Sequence, residues 1–403
     1  MRNKTPGNVA LFGLPITNVT MAQAVARIEE HILSGGTHQI ATANLDFARN
    51  SFKDQYLQRI ICDCSMVLPD GAPMLWASTL FGTPLKERVT GVDLIPELAK
   101  LSADRGYGIF LLGSSEDSSR RAVATLEERY PGVRIVGRVC PEVAPLHEMD
   151  SERLLREIEA AEPAILLVAF GNPKQEIWIH RHRNRLRVPV AIGIGGALDM
   201  IGGSLKRAPR WIQQMQLEWL FRMAQEPLRL LPRYARDAAA LLVHLPIGLA
   251  ANRLQPEERR YGRLRVEVEG SVRVISTPAK LSGDVCGWLA REAKSAVLAG
   301  QTMVVDMSAT VRVEADGLGG LLEARRILLN DGLWIWLAGM SNPVRRVLQF
   351  SAMSDLFRIA TTPSEAIRFT VAAQSAAPHI NEPLPAMSVR QQSVGKSSIA
   401  RAS

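Results

Sequence analysis

The sequence predicts an α/β protein in which a parallel-sheet domain is followed by a basic helical segment and a second, smaller α/β unit. Three observations carry this. From residue 8 to about 200, short β-rich apolar runs alternate with amphipathic stretches, the pattern of strand–helix–strand units. From 203 to 260 the β signals fade and arginine becomes frequent. From 263 to 372 the alternation starts again. A chain of 403 residues suits two or three domains, and 47% hydrophobic residues suffice for packed cores.

In the first domain, strands are expected at 38–43, 66–68, 108–112, 133–139, 164–169 and 190–194, with helical patterns such as 117–130 and 151–161 between them. Sheets of this kind bind ligands outside the carboxyl ends of their strands. The chemistry is therefore expected in the loops that follow the strands.

The first such loop is Thr42-Ala43-Asn44-Leu45-Asp46. Its polar side chains suit a sugar or phosphate, and Asn44 or Asp46 equally suits a helix cap. The second is Pro69-Asp70-Gly71. Asp-Gly is common turn chemistry, yet a carboxylate at a strand end is also placed to take a proton from a sugar hydroxyl. The third, Gly171-Asn172-Pro173-Lys174-Gln175-Glu176, follows a strongly apolar strand. Pro173 suits a helix start, and a helix N-terminus beside Lys174 is a phosphate-binding arrangement. Asn172, Lys174 and Gln175 together are hard to explain by packing. The fourth, Gly193-Ile194-Gly195-Gly196, lets backbone approach an anion, although this glycine pattern alone is weak. Gly113-Ser114-Ser115 reads first as a helix cap. The chain has no Asp-x-Asp pair, Walker-type loop or zinc-protease motif.

Between Lys206 and Arg253, eight Lys/Arg face three acidic residues, which gives +5 of the chain's net +8. Arg222, Arg229, Arg233 and Arg236 fall on one stripe at helical spacing, opposite Trp211, Met215, Trp219 and Met223. Pro227 and Pro232 are expected to kink or break any single helix here. The longest apolar run, 238–251, contains His244 and Pro246 and is short for a membrane span. The first six residues are polar, with no apolar signal core behind them. The four cysteines have neither zinc-site nor disulfide-framework spacing. A cytoplasmic location, at the membrane face, is expected. Nucleic acid is not an expected partner, because no aromatic residues interleave with the basic stripe.

The order Thr42-Ala43-Asn44, Pro69-Asp70-Gly71, Gly91-Val92-Asp93, Gly171-Asn172-Pro173-Lys174-Gln175-Glu176, Gly193-Ile194-Gly195-Gly196 and Arg207-Ala208-Pro209 resembles the WecG/TagA/CpsF glycosyltransferase family, over about residues 8 to 235. The resemblance implies a Rossmann-like fold over 8–202, a helical appendage over 203–260 that closes on the site and touches the membrane, and no essential metal or other cofactor. It implies transfer of N-acetylmannosamine or another sugar from a UDP-sugar to a polyprenyl-diphosphate-linked acceptor, with inversion. By the same resemblance Asp70 is the catalytic base, Thr42 and Asn44 lie near the acceptor sugar, and Gln175 contacts the nucleotide sugar. Asp93, Gly195, Gly196 and Arg207 join the substrate-binding candidates through their motifs. Without a metal, the leaving diphosphate needs cationic or N–H donors, and Arg222, Arg229 and Arg233 are the candidates. The expected location is peripheral, on the cytoplasmic face of the inner membrane.

In the last domain, strands are expected at 264–268, 273–275, 303–306 and 334–338. The run 304–308 followed by Glu314-Ala315-Asp316-Gly317-Leu318-Gly319, with a later Pro343-Val344-Arg345-Arg346-Val347-Leu348, resembles a STAS domain. That implies a protein partner. In antagonist members a phosphorylated Ser precedes the Gly-Leu pair, and here Asp316 stands there. A fixed state or structural docking follows, with helix capping the plain alternative. Residues 373–403, rich in Ser, Ala, Gln and Pro, are expected to be a disordered tail. The alternative to an enzyme is an interaction protein driven by its STAS-like half, with a non-catalytic transferase-like scaffold.

Overall fold

The computed structural model describes residues 7–215, 217–253 and 264–375. It opens with an antiparallel hairpin of β1 (Asn8–Leu11) and β2 (Leu14–Thr17), turned at Phe12-Gly13 with both residues at positive φ. Helix α1 (Met21–Ser34) follows, held by a capping box between Thr20 and Gln23.

The main sheet then builds strand by strand. β3 (His38–Ala43) leads to α2 (Leu45–Lys53) and α3 (Gln55–Cys62), and β4 (Met66–Pro69) leads to α4 (Ala72–Leu80) and α5 (Gly91–Arg105). β5 (Gly108–Gly113), α6 (Glu116–Arg129), β6 (Arg134–Val139), α7 (Ser151–Ala161), β7 (Ile165–Ala169), α8 (Lys174–His182), β8 (Val190–Gly193) and α9 (Ala197–Ile201) complete it. The six strands lie in the order β4-β3-β8-β7-β5-β6, all parallel.

Because the sheet is covered on both faces, its central strands read as unbroken apolar runs. In β7, Ile165 and Leu167 pack with Ile28, Leu94, Leu98 and Leu198 on one face. Leu166 and Val168 pack with Leu154, Ile158 and Trp178 on the other. All six strands that the alternation predicts are present, with ends shifted by a residue or two.

The basic segment forms α10 (Arg210–Gln214), α11 (Glu218–Gln225) and α12 (Pro227–Arg253). The chain breaks at Glu226, ahead of Pro227, as expected, so Arg222 and Arg233 sit on different helices and share no single stripe. Pro232 and Pro246 lie inside α12. The expected apolar stripe is also split between α10 and α11. Trp211 and Met215 are exposed at 62% and 58%, while Trp219 stacks edge-on against Tyr234 of α12.

The last domain comprises β9 (Arg265–Glu269), β10 (Val272–Ser276), β11 (Lys280–Leu281), α13 (Gly283–Leu298), β12 (Thr302–Asp306), β13 (Arg312–Val313), α14 (Ala315–Asn330), β14 (Ile335–Ala338), α15 (Asn342–Phe350), β15 (Arg358–Ala360) and α16 (Pro363–Ser375). Its sheet order is β15-β14-β12-β10-β9, parallel except for β9. Helix α16 runs three residues past the boundary at 372, and 376–403 lie outside the described residues, as do 254–263.

This domain is seated directly on the first one. Helix α14 packs on β1, and α15 packs on α12. Arg325, buried to 6%, bridges the Leu356 carbonyl and Asp63. Gln58 donates to the Ala352 carbonyl, and Asn8 donates to Glu323. Glycine permits the close approach: a Cβ on Gly319 would lie 1.9 Å from the Asn8 carbonyl oxygen, whereas one on Gly287 of α13 would meet nothing within 4 Å. Gly319→Ala is therefore expected to lower stability by roughly 1–3 kcal/mol through overpacking. Gly287→Ala is expected to be neutral or stabilising by up to about 1 kcal/mol. Urea unfolding midpoints of the two variants check the contrast.

Candidate active site

The carboxyl ends of β3, β4, β7 and β8 open on one edge of the sheet, and the adjoining loops meet there. The Asp70 N–H donates to the Ala43 carbonyl at 2.8 Å, extending the β3–β4 ladder into the loops. The Val89 N–H donates to the Pro69 carbonyl, which brings the start of α5 beside Asp70. Gly91 lies against the fourth loop, where a Cβ would approach the Ile194 carbonyl oxygen to 3.3 Å.

Asp70 is half-buried at this edge. Desolvation pushes its carboxyl up to about 6, against the opposing pull of the Arg222 and Arg88 guanidiniums, while Glu218 and Asp93 push it further up. Glu218, 8% exposed, ties this cluster together. It accepts from Arg88 at 3.1 Å and lies 3.5 Å from Arg207, which also pairs with Asp93. Asp93 in turn accepts from the Thr90 hydroxyl at 2.8 Å, at the cap of α5. Three guanidiniums, from Arg88, Arg207 and Arg222, thus gather with three carboxylates at the strand ends. Arg222 and Glu218 reach them from α11.

A second polar set runs through the neighbouring loops. Gln175, 1% exposed, accepts from the N–H of Gly171 at 3.1 Å and of Gly195 at 3.0 Å. Its amide donates to Glu176 at 2.7 Å, and Asn172 donates to the other Glu176 oxygen at 3.1 Å. Burial pushes the Glu176 carboxyl up to about 7, against these hydrogen bonds. Thr42 is also buried, donating to the Gly193 carbonyl at 2.9 Å. Asn44 caps α2 by accepting from the N–H groups of Asp46 and Phe47. Lys174 donates to the Ala144 carbonyl at 2.5 Å. Gly196 stands at the start of the short α9.

The structure therefore brings Asp70, Asp93, Arg207 and Arg222 into one cluster. Thr42, Asn172, Gln175 and Gly195 form the internal ties of the loops beside it. The Gly195 N–H, expected to face an anion, points inward to Gln175. Arg233 lies apart on α12, its guanidinium 5.1 Å from the Tyr234 ring centroid. The Arg229 side chain lies outside the described residues. Sequence reasoning missed Arg88, Glu218 and Glu176. Glu218 had one usable signal, as a rare acid in a basic segment. Arg88 had only its place just before the Gly91-Val92-Asp93 motif.

Among the described residues, no group of three or more His, Cys, Asp or Glu side chains is arranged to hold a metal ion. The chemistry available is that of a raised carboxylate as proton acceptor, with cationic side chains beside it for a developing negative charge.

The profile of the "Glycosyl transferase WecG/TagA/CpsF family" matches residues 9–256. An N-acetylglucosaminyldiphosphoundecaprenol N-acetyl-beta-D-mannosaminyltransferase of Bacillus subtilis (strain 168) is 29% identical over 231 residues, covering 56% of this chain and 88% of the relative. The protein of the same name from Staphylococcus aureus (strain MRSA252) is 29% identical over 219 residues, covering 53% and 83%. Among solved structures, the anti-sigma factor antagonist SpoIIAA in its unphosphorylated form is 22% identical, covering 27% of this chain and 97% of that one, with a TM-score of 0.25. An anti-sigma-factor antagonist (STAS) domain protein from Planctomyces limnophilus is 20% identical, covering 26% and 95%, with a TM-score of 0.24.

The tight joint between the third and fourth loops gives a test. A Cβ on Gly193 would lie 2.6 Å from both the Gln175 amide nitrogen and a Glu176 oxygen. Gly193→Ala is expected to cost roughly 1–3 kcal/mol of stability, measured by urea unfolding.

Proposed function

Because the chain belongs to the WecG/TagA/CpsF family of glycosyltransferases, we propose that it moves a sugar from a UDP-sugar to a polyprenyl-diphosphate-linked glycan, with inversion and with Asp70 as general base. The sugar is N-acetylmannosamine or another hexose or hexuronic acid, and the product serves cell-surface or exopolysaccharide assembly. The observation that carries this reading is the raised Asp70 carboxyl beside Arg88 and Arg222. The named relatives act on an undecaprenyl-diphosphate-linked acceptor, which supports the lipid-linked substrate.

In the proposed step, the Asp70 carboxylate accepts the proton of the acceptor hydroxyl. The freed oxygen attacks the anomeric carbon from the face opposite the diphosphate. The bond from that carbon to the UDP oxygen breaks, and its electron pair leaves on the diphosphate. Arg222 and Arg207, with Arg88, are placed to stabilise that charge. Arg229 and Arg233 on α12 would join them when the appendage closes. No metal or other cofactor takes part in this reading.

The appendage suits a membrane surface. Trp211, Met215, Leu228 and Leu242 are exposed on a segment rich in arginine, the combination that binds anionic lipid interfaces. No helix among the described residues is long and apolar enough to cross a membrane. We place the protein at the cytoplasmic face of the inner membrane. The STAS-like half would offer a docking surface for a protein partner in a fixed state, with Asp316 held by the Gly317 N–H at 2.8 Å.

Three outcomes test the reading. Asp70→Asn should lower transfer by about 10²–10⁴-fold, measured as UDP release with a lipid-diphosphate-sugar acceptor. Because the base must be ionised, activity should fall as pH drops through about 6, and chelator should leave it unchanged. Full activity in Asp70→Asn overturns the mechanism. Replacing Trp211 and Leu228 by Ser should weaken co-sedimentation with anionic vesicles while leaving binding of UDP intact.

A further inference from the structure

An ion pair between α2 and α12 links the second polar set of the site to the appendage. On α2, one residue beyond the turn capped by Asn44, Arg49 pairs with Asp46 on its own helix. The same guanidinium places its Nε 3.2 Å from a carboxylate oxygen of Asp237, on α12. Asp237 is only 4% exposed, although it belongs to the otherwise basic appendage. Next to Arg49, Asn50 donates to Asn172 at 2.7 Å, and Asn172 connects through Glu176 and Gln175 to the Gly195 N–H. A continuous polar path therefore leads from the glycine loop after β8, through the loop after β7, to α2 and on to the appendage.

Packing alone does not account for the final link. A buried Asp facing a buried Arg is costly to desolvate, and apolar residues of the same size would hold two helices at least as well. What an ion pair adds is a defined register. Moreover, the Arg49 Nε and the facing Asp237 oxygen are buried and in ion contact, but they are not aligned as a hydrogen bond.

We propose that Arg49 and Asp237 are a positioning pair, which sets the register of α12 on α2 and so holds the appendage in place beside the strand-end loops. Neither side chain touches the reacting atoms in this scheme. The proposal rests on the transferase reading for its kinetic consequence, and on the geometry of α2 and α12 for its structural one.

The test uses the full chain with Asp237→Asn, Arg49→Gln and the conservative Asp237→Glu. With the pair broken, the KM for the UDP-sugar should rise at least tenfold while kcat changes by less than threefold, because Asp70 and its neighbours stay in place. The low-pH limb of kcat, which Asp70 sets, should not move, whereas the KM of the wild type alone should rise as pH falls through about 6, where Asp237 takes up its proton. Asp237→Glu should recover most of the loss. Trypsin should cut α12 severalfold faster in the Asn and Gln variants, with cleavage elsewhere unchanged. Unchanged KM and unchanged α12 cleavage in both broken variants overturns the proposal. Equal impairment by Asp237→Glu and Asp237→Asn also overturns it, since charge would then not be the operative property. If the wild-type chain transfers no sugar, the transferase reading fails, and the cleavage comparison still decides whether the pair holds α12.

Discussion

A carboxylate that is costly to ionise, kept ionisable by cations from another part of the chain, is the constraint on which the site depends. Asp70 stands where the apolar ends of β3 and β4 give way to charge. Desolvation alone would push it far up. Arg222 and Arg88 pull it back, and the balance falls near 6. A proton acceptor works best when its pKa lies close to the working pH while it remains mostly ionised. Arg222 is supplied by α11, so the electrostatics of the sheet edge are complete only once the appendage has folded back over it. The appendage is in this sense part of the electrostatics of the sheet edge.

The remaining loop residues divide by what their polar atoms already do. Thr42 and Gln175 are almost fully buried, and their hydrogen-bonding groups are occupied within the protein. They fix the shape of the glycine-bearing loops, and the loops in turn fix the space in front of Asp70. Arg88, Arg207 and Arg222 are half-buried, the first two ion-paired with Glu218 and Asp93. A substitution among the buried ties would displace several loops at once, whereas one among the arginines would remove a local charge.

The main sheet could be read from the sequence because its central strands are apolar runs set between helical stretches with caps. The 164–169 run of Ala, Ile, Leu and Val is the plainest case. The hairpin was missed, since β1 and β2 are four residues each, and β2 contains Pro15. The break at Pro227 could be read from the proline itself, whereas the length of α12 beyond Pro232 depends on tertiary contacts with α2 and α15. Within the site, Asp70 and the loops after β7 and β8 announce themselves through polar residues at strand ends. Arg49 and Asp237 give no such signal. Each looks like an ordinary helix-surface charge, and only folding brings them together.

The last domain extends the same logic to its glycines. Gly317 of α14 faces the Leu281 carbonyl, Gly319 faces Asn8, and Gly320 faces Cys286 on α13, each so closely that a Cβ would intrude. The helix edge that in the antagonist resemblance follows the phosphorylation position is thereby committed to the first hairpin of this chain. That hairpin packs in turn on β4, the strand that ends at Asp70. A partner using this edge would have to displace β1 and would disturb the support of β4. The domain also meets the first through α15 on α12 and through Arg325 on Asp63, so its seat on the transferase half is not confined to the hairpin.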